Sequence, residues 1–399
     1  MLPQLICLLA LLSPTADALE SSLRPRPRPV ELTTTQKYGD YFPTQKWKRH
    51  SLEDAGFDRQ KFQRVLDYVW EEKGNHFSDA FVVIKDGYIV YEGYSRGYSP
   101  TKKHMFWSFS KSLTSTLIGA AIHQGHLSLQ TKARDYYPEM NIEKARDVTL
   151  RHILNMSSGF DFYEEHPFNI ALSDSIFVYY SRKAYKDVAL NVAKTKMKYA
   201  PDQQFNYGTH EPMLAMGMLK KAMGDIKKYE NFPWDALFNP LGMKSVVFER
   251  DLSKTFLGGS GGWGVATDYA KLGYLMLNDG VWEGKRILPR GWVDFATRKV
   301  APALERRSSE DGQQRLNVES YGAYWWLNKK LKMNKKRPYP SAPDDLYQAM
   351  GFRGQTMGVI PSKGLIIVRM GSDGRKPKKK LKRDKLYKLL LASMIEEDK

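Results

Sequence analysis

The sequence predicts an α+β fold: one antiparallel β-sheet built from both ends of the chain, flanked by helices, with a mainly helical region inserted in the middle. Near the N-terminus, residues 80–93 contain two apolar runs joined by Asp86-Gly87, a dipeptide that strongly favours a hairpin in this setting. Strand-like runs return at 355–370, joined by a short turn. From about residue 106 to residue 300 the apolar spacing is mainly helical and is interrupted by glycine and proline turns.

Two amphipathic segments predict the helices that flank this sheet. Apolar residues recur at helical spacing over 59–73, and again over 384–396 near the C-terminus. We expect the ordered part of the chain to begin near Phe42. The four strand-like runs are 80–85, 88–93, 355–360 and 365–370.

The N-terminal segment predicts export. Residues 5–12 form an apolar run that is too short to span a bilayer, and the tripeptide 16–18 fits the small-x-small cleavage pattern of a secretory signal. We therefore expect a signal peptide over 1–18 and a periplasmic or secreted protein. The alternative is an uncleaved N-terminal anchor. The only cysteine, Cys7, lies in this segment, so cleavage leaves a mature chain without thiol chemistry.

The rest of the chain divides into an extended segment and one folded domain. Residues 19–44 are rich in proline and arginine, which predicts an extended segment of the polyproline type. The folded domain is expected over 45–399. Its sheet part is expected at about 45–105 and 340–399, and its helical part at about 106–339.

The chain is strongly basic, with a formal net charge of +18 over 399 residues. The basic residues are densest in two runs, 329–337 and 375–383. Such runs can bind nucleic acid or anionic surfaces. No nucleic-acid motif accompanies them, so we expect no nucleic-acid partner and interpret the runs mainly as solvated loops and helix faces. Weak contact with an anionic surface is the alternative, and the oligomeric state stays open.

The strongest chemical signal is Ser108 and Lys111, three residues apart at the start of an apolar helical run. Positions i and i+3 lie on one face of a helix, so both side chains are expected to point into the same space. Burial disfavours the charged form of a lysine, and a neutral amine beside a hydroxyl can take its proton. The pair therefore predicts a nucleophilic serine. Ser99 and Lys102 share the spacing, but a proline follows that serine and no apolar helix follows the lysine.

No metal or other cofactor is predicted. His123 and His126 lie three residues apart, but no third ligand or nearby acid accompanies them. The sequence also contains neither a phosphate-binding loop nor a dinucleotide fingerprint.

Six short blocks occur in an order that matches a known family. Singly each is modest, but six in one order are hard to reach by chance. Over about residues 50–395 the chain resembles the β-lactamase-like serine hydrolases, which include class C β-lactamases, penicillin-binding carboxypeptidases, esterases and hydrolases of 6-aminohexanoate oligomers. The resemblance implies a β-lactamase/transpeptidase-like fold. The blocks are Asp86-Gly87, Ser108–Lys111, 150–159, 205–209, 261–268 and 349–355.

The resemblance also implies roles for individual residues. Ser108 matches the nucleophile, Lys111 the residue that activates it, and Tyr207 the tyrosine that shares the general-base role. The oxyanion hole would be formed by the backbone N–H groups of Ser108 and Phe352, and such donors typically contribute about 10²–10³ in rate. The substrate-binding candidates are Thr209, Trp263, Gly351 and Arg353; Trp325 and its aromatic neighbours are a weaker candidate wall with a core role as the alternative.

Two departures from the family motifs bear on the substrate. The second motif normally ends in asparagine or serine and here ends in Thr209, whose hydroxyl still forms hydrogen bonds. The third motif normally begins with a lysine or histidine that helps to hold a substrate carboxylate, and Ala349 stands in its place. A hydrogen bond to an ion is worth about 1.5–3 kcal/mol. We therefore expect weak binding of carboxylate-bearing substrates, with Arg353 as the candidate replacement cation.

The sequence thus predicts a hydrolase that cleaves an ester or amide of a small-molecule substrate through an acyl-enzyme on Ser108. One alternative keeps the chemistry and changes the substrate: a D-alanyl-D-alanine carboxypeptidase or weak β-lactamase. A further alternative is a non-catalytic family member that binds the cell envelope through its basic runs. The intact Ser108, Lys111 and Tyr207 argue against that third reading.

Overall fold

The computed structural model describes most of the chain. The predicted signal peptide, most of the Pro/Arg-rich segment and residues 375–380 of the second basic run lie outside the described residues, as do Met333 and Lys335 of the first run. The described residues are 38–71, 76–164, 173–176, 181, 184–305, 320–332, 334, 336–374 and 381–395.

A seven-stranded antiparallel sheet forms the centre of the protein, and it is built from both ends of the chain. Its strands are β1 (Ser78–Lys85), β2 (Tyr88–Tyr94), β8 (Ser320–Tyr321), β9 (Trp326–Leu327), β10 (Tyr347–Gly351), β11 (Gln355–Ile360) and β12 (Leu365–Gly371). The strand order is β2-β1-β12-β11-β10-β9-β8, so the N-terminal hairpin pairs directly with the last strand. This confirms the predicted fold class.

The remaining strands of the described residues form two smaller sheets. They are β3 (His104–Met105), β4 (Val247–Phe248), β5 (Gly262–Gly264), β6 (Val281–Trp282) and β7 (Lys285–Arg286). One sheet has the order β3-β5-β4 and leads into the candidate site, while the other is a two-stranded ribbon of β6 and β7.

Helices cover both faces of the central sheet. The α-helices are α1 (Arg59–Trp70), α2 (Ser110–His123), α3 (Leu150–Leu154), α4 (Val188–Ala193), α5 (His210–Met223), α6 (Ile226–Pro233), α7 (Asn239–Leu241), α8 (Ala266–Leu277), α9 (Trp292–Thr297), α10 (Pro302–Glu305) and α11 (Arg383–Ala392). A π-helical turn spans Trp234–Phe238. In the described part of the chain, none of the helices has both the length and the apolar character needed to cross a bilayer.

The alternation of side chains along β1 divides the apolar core into two parts. Phe81 and Val83 point to the face covered by α1 and α11, whereas Val82 and Ile84 point to the face covered by α2 and α8. Both faces are dry, which explains why the strand is apolar throughout rather than alternating. The two predicted amphipathic helices supply one face, and the inserted helical region supplies the other.

The sheet takes two short strands from an unexpected part of the chain. Strands β8 and β9 lie between residues 320 and 327, earlier than residue 340, where the second sheet part was expected. Each has two residues, so neither can display an alternating pattern. Their pairing is fixed by β10, because Gln348 of β10 lies opposite Trp326 of β9.

Helix α2 is buried from Ser110 to Ala121. Most of its hydroxyl side chains are compatible with this because they bond to backbone groups; among the described residues, Ser115 Oγ is the exception. Ser110 Oγ accepts the N–H of Gly262 at 3.0 Å, and Thr114 Oγ1 donates to the carbonyl of Gly258 at 2.9 Å. Buried polar groups are stable only when paired in this way. The hydroxyls thus fix the strand segment that lies beside the candidate site.

Candidate active site

The nucleophile segment connects β3 to α2. A 3₁₀ turn spans Trp107–Phe109, so the α-helix proper begins at Ser110 and Ser108 lies just before it. Trp107 has a positive φ of 51°, which is uncommon for a residue with a side chain. The β3 strand holds the start of this segment through the small sheet, since the N–H of Phe106 donates to the carbonyl of Gly262 at 2.7 Å.

The structure brings Ser108 and Lys111 together. Lys111 Nζ lies 3.0 Å from Ser108 Oγ, within hydrogen-bond distance. The Lys111 side chain is 1% exposed. A serine hydroxyl and a lysine amine are therefore in contact in a nearly dry setting, which is the arrangement that an activated nucleophile needs.

The other partners of Lys111 determine how the amine can act. Lys111 Nζ also lies 3.2 Å from Thr209 Oγ1 and 3.2 Å from the carbonyl oxygen of Gly259. The carbonyl can only accept, and the Thr209 hydroxyl donates to Glu164, so both oxygens accept from Lys111. With Ser108 Oγ, the Lys111 amine therefore has three oxygen neighbours, one for each donor position of a lysine side chain. After loss of one proton, the contacts to Thr209 and Gly259 occupy the two remaining N–H groups, and the lone pair can accept the Ser108 hydroxyl proton.

Glu164 is a site residue that the sequence did not single out. Its carboxylate accepts the backbone N–H and the hydroxyl of Thr209, each at 2.6 Å, and lies 4.0 Å from Lys111 Nζ. The side chain is 22% exposed. Glu164 therefore fixes the Thr209 hydroxyl as an acceptor toward Lys111 and places a negative charge beside the amine.

Tyr207 reaches the site in a different way from the one its motif implied. Lys111 Nζ lies over the Tyr207 ring, 4.7 Å from its centroid. Between these described residues there is no hydrogen bond from the Tyr207 hydroxyl to Ser108 or Lys111. The ring packs against Tyr321 and Trp326, with centroids 5.9 and 5.1 Å away. In this conformation Tyr207 offers Lys111 its aromatic face, which attracts a cation.

Gly351 lets β10 approach the nucleophile segment. A Cβ atom at this position would lie 2.2 Å from the carbonyl oxygen of Phe106, far inside van der Waals contact. The close approach brings Phe352 beside the nucleophile turn, where its ring meets the Trp107 ring at 5.4 Å between centroids. Ser108 and Phe352 consequently line the same cavity, as the expected oxyanion hole requires.

Helix α5 places two buried titratable groups directly behind Thr209. His210 stacks on Phe162 with ring centroids 3.9 Å apart, and neither ring nitrogen has a hydrogen-bond partner among the described residues. Burial lowers the pKa of His210 to about 3. Burial also raises the pKa of Glu211 well above its ordinary value, against the opposing effect of hydrogen bonds from Ser158. The His210 imidazole is therefore neutral near pH 7.

These elements border a cavity of about 680 Å³. Its wall is largely apolar, with two carboxylates and one guanidinium, which suits an organic substrate with few polar groups. The residues that line it are Met105, Trp107, Ser108, Glu164, Ser175, Ile176, Tyr185, Tyr207, Thr209, Glu249, Leu257, Ser260, Trp326, Met350, Gly351, Phe352 and Arg383.

Three residues considered for the substrate wall lie elsewhere. The Trp263 indole does not line the cavity; its Nε1 donates to Glu249 at 2.9 Å. Arg353 is exposed and outside the lining, because its φ of 62° turns the chain away after Gly351. Trp325 is fully buried in the core, and its neighbour Trp326 lines the cavity instead.

Ala349 contributes no charge at the position of the family's basic residue. It is fully buried, and the neighbouring Met350 provides the side chain that lines the cavity. In the described ranges, no group of three or more histidine, cysteine, aspartate or glutamate side chains is arranged to hold a metal ion.

A family model described as "Beta-lactamase" matches residues 59–392, which is most of the chain. The chain belongs to the β-lactamase family. Together with the Ser108–Lys111 contact, membership identifies it as a serine hydrolase of this type. The match includes the nucleophile turn, helix α5 and strand β10, so the candidate site lies within the family's own fold.

Relatives within this family carry several activities in their names. A 6-aminohexanoate-dimer hydrolase of Paenarthrobacter ureafaciens is 21% identical over 309 residues, which cover 74% of this chain and 72% of that protein. A family VIII carboxylesterase has a similar structure, with a TM-score of 0.62, 16% identity and coverage of 85% and 99%. A β-lactamase/D-alanine carboxypeptidase from Pseudomonas syringae has a TM-score of 0.58, 15% identity and coverage of 83% and 98%. At these identities the structural likeness shows the fold alone.

Proposed function

We propose that the protein hydrolyses an ester or amide of a small organic substrate through an acyl-enzyme on Ser108. The observation that carries the proposal is the 3.0 Å contact between Lys111 Nζ and Ser108 Oγ at the wall of a largely apolar cavity. The names of the carboxylesterase and the 6-aminohexanoate-dimer hydrolase support an ester or amide as the bond that is cleaved.

The proposed reaction follows from the hydrogen bonds. Lys111 takes the Ser108 hydroxyl proton on its lone pair while Ser108 Oγ attacks the substrate carbonyl carbon. The backbone N–H groups of Ser108 and Phe352 stabilise the oxyanion. Collapse of the tetrahedral intermediate expels the alcohol or amine, which leaves with the proton from Lys111. A water molecule then attacks the acyl-enzyme, gives its proton to Lys111, and releases the acid as the proton returns to Ser108.

The proposal is tested by labelling with a fluorophosphonate probe and by hydrolysis of p-nitrophenyl esters. We expect the wild-type protein to be labelled on Ser108 and to turn over the esters. We expect Ser108→Ala to lose both signals and Lys111→Met to lose most of the rate. Labelling that persists in Ser108→Ala would exclude Ser108 as the nucleophile. A folded wild-type protein that neither labels nor turns over any ester would favour a non-catalytic binding role.

A D-alanyl-D-alanine carboxypeptidase or weak β-lactamase is the second candidate, and the name of the Pseudomonas syringae neighbour supports it. Such substrates carry a carboxylate. The buried Ala349 supplies no cation for it, and Arg353 lies outside the cavity. The guanidinium in the described wall, that of Arg383, is engaged through its Nε with the Tyr339 hydroxyl. We therefore expect nitrocefin to be turned over much more slowly than p-nitrophenyl acetate. Nitrocefin turnover that matches or exceeds ester turnover would reverse this preference.

We further propose that the protein acts outside the cytoplasm, in the periplasm or the medium. The apolar run at residues 5–12 and the small-x-small tripeptide after it support export. Cell fractionation and N-terminal sequencing of the mature protein test this. A mature chain that begins after residue 18 would support it, and full-length protein in the cytoplasm would refute it.

A further inference from the structure

Glu249 is held in a defined position relative to the nucleophile. It follows β4 directly, and its N–H donates to the carbonyl of Gly261 at 2.9 Å, while its carbonyl accepts the N–H of Leu257 at 2.8 Å. Strands β3 and β4 both pair antiparallel with β5, so they run parallel to each other and end at the same edge of the small sheet. The chain continues from β3 into Ser108 and from β4 into Glu249.

The pairing register places Glu249 level with the nucleophile turn. Phe106 and Phe248 both lie opposite Gly262, so the next residues, Trp107 and Glu249, are at the same height on either side of β5. Two strand spacings correspond to about 10 Å between their backbones. Glu249 and Ser108 both line the cavity. The carboxylate is therefore fixed within one small-molecule length of the reacting serine.

The Glu249 carboxylate has a hydrogen-bond donor that orients it but no basic partner among the described residues. Its Oε1 accepts the indole N–H of Trp263 at 2.9 Å, which orients the carboxylate. Among the described residues no lysine or arginine lies within ion-pair distance of it; the adjacent Arg250 pairs with Glu230 instead. The other carboxylate in the wall, Glu164, is compensated by Thr209 and Lys111. A carboxylate has about four acceptor positions, and the indole fills one.

We propose that Glu249 binds a positively charged group of the substrate, namely an ammonium carried a few atoms from the cleaved bond. A carboxylate in a largely apolar wall loses hydration without gaining an ion partner, and an ammonium in the substrate supplies that partner. The apolar wall accommodates the intervening methylene groups. This inference rests on the proposed function and specifies the substrate class for the same cavity. The ammonium can belong to the acyl part or to the leaving group, and the test separates the two.

The test compares matched esters. One series consists of p-nitrophenyl esters of ω-amino acids of increasing chain length, each paired with the ester in which a methyl group replaces the ammonium. A second series carries the ammonium on the leaving alcohol, again with methyl-terminated partners. For each pair the measured quantity is the ratio of kcat/KM for the charged ester to that for the neutral ester. The proteins are the wild type, Glu249→Gln and Glu230→Gln.

We expect the wild type to favour the charged ester by about tenfold or more at the best chain length, the effect of one charge-assisted hydrogen bond. In Glu249→Gln the ratio should fall by about that factor, because glutamine still accepts from Trp263 but carries no charge. Glu230→Gln removes the same charge outside the cavity and should keep the wild-type ratio. The preference should weaken as salt is raised.

Two results would overturn the inference. One is a wild-type ratio near one at every chain length in both series, and the other is a preference that survives unchanged in Glu249→Gln. Either is distinguishable from failure of the proposed function, because the neutral esters and the fluorophosphonate probe report on Ser108 independently of any ammonium. If neither reagent reacts, the proposed function fails and the inference falls with it.

Discussion

Replacing Glu164 by glutamine removes the negative charge next to Lys111 while keeping the size of the side chain. The charge matters most when Ser108 attacks, because Lys111 then becomes an ammonium 4.0 Å from the carboxylate. At an effective dielectric constant of about 20, two unit charges at that distance attract by about 4 kcal/mol. The Glu164 side chain is 22% exposed. Solvent screening therefore reduces this attraction, to about half of its unscreened value.

The expected loss is therefore about 2 kcal/mol of transition-state stabilisation, or about 30-fold in kcat/KM. A second effect acts in the same direction. The carboxylate accepts both the N–H and the hydroxyl of Thr209, and glutamine has only one acceptor oxygen for the two donors. Glu164→Asp keeps the charge with a shorter reach and should lose less than Glu164→Gln.

The assay is steady-state hydrolysis of a neutral p-nitrophenyl ester, with thermal unfolding as the control for folding. Thr209→Val serves as the partner variant, because it removes the hydroxyl that lies between Glu164 and Lys111. If Glu164, Thr209 and Lys111 act as one hydrogen-bonded unit, the kcat/KM of the double variant should fall much less than the product of the two single effects predicts.

Two outcomes would refute this reasoning. The first is a kcat/KM of Glu164→Gln within about twofold of the wild type, since the expected effect is about 30-fold. The second is full additivity of Glu164→Gln and Thr209→Val in folded protein. In either case the Lys111 ammonium would be stabilised by other groups, with the Tyr207 ring, 4.7 Å away, as the first to examine.

Three further variants follow from the structure. Gly351→Ala places a Cβ 2.2 Å from the Phe106 carbonyl oxygen, so β10 must move from the nucleophile turn; kcat should fall by about 10²-fold, and an unchanged kcat would contradict this. Ser110→Ala leaves the buried N–H of Gly262 without its acceptor and should lower the free energy of unfolding in urea by about 1–3 kcal/mol; a loss near zero would mean that the N–H finds another acceptor. His210 has a depressed pKa of about 3 in the folded protein, so the unfolded chain binds the extra proton first as pH falls below about 6.5. Wild-type stability should therefore decline by about 1.4 kcal/mol per pH unit from this group between pH 6 and pH 4, and His210→Phe should lack that component; identical pH dependence in the two proteins would refute it.

The sheet was predictable where the sequence itself contains the periodicity. The Asp86-Gly87 turn and the apolar runs around it form β1 and β2, and the runs at 355–360 and 365–370 form β11 and β12. These strands are long enough to show an apolar pattern, and their turns have characteristic residues. Strands β8 and β9 have two residues each, so only their partners in the folded sheet define them.

The candidate site was predictable in part. Ser108 and Lys111 are close in sequence, so helical geometry was enough to bring them together. Glu164 lies 45 residues before Thr209 in the sequence. Its position depends on a loop that is held by Asn206, whose side-chain amide donates to the backbone carbonyls of Phe160 and Phe162. A lone loop glutamate normally indicates a solvated surface, and no local pattern marks this one. Arg353 shows the opposite case: its place two residues after Gly351 made it the candidate replacement cation, and a left-handed turn directs the residue elsewhere.

Two features of the charges around the cavity indicate the same preference, for a substrate that carries an ammonium rather than a carboxylate. At the position where the family resemblance implies a cation for a substrate carboxylate, this chain has the buried Ala349. Arg383 is the cationic side chain in the described cavity wall. Its Nε–H donates to the Tyr339 hydroxyl, which also contacts Met350 of β10, so Arg383 lies at the side of the cavity formed by β10. At the end of β4, Glu249 presents an oriented carboxylate without a basic partner in the described residues. A substrate carboxylate near Glu249 would be repelled and an ammonium attracted. Glu249 and the lack of a cation at position 349 therefore both select against substrates that carry a carboxylate near these residues.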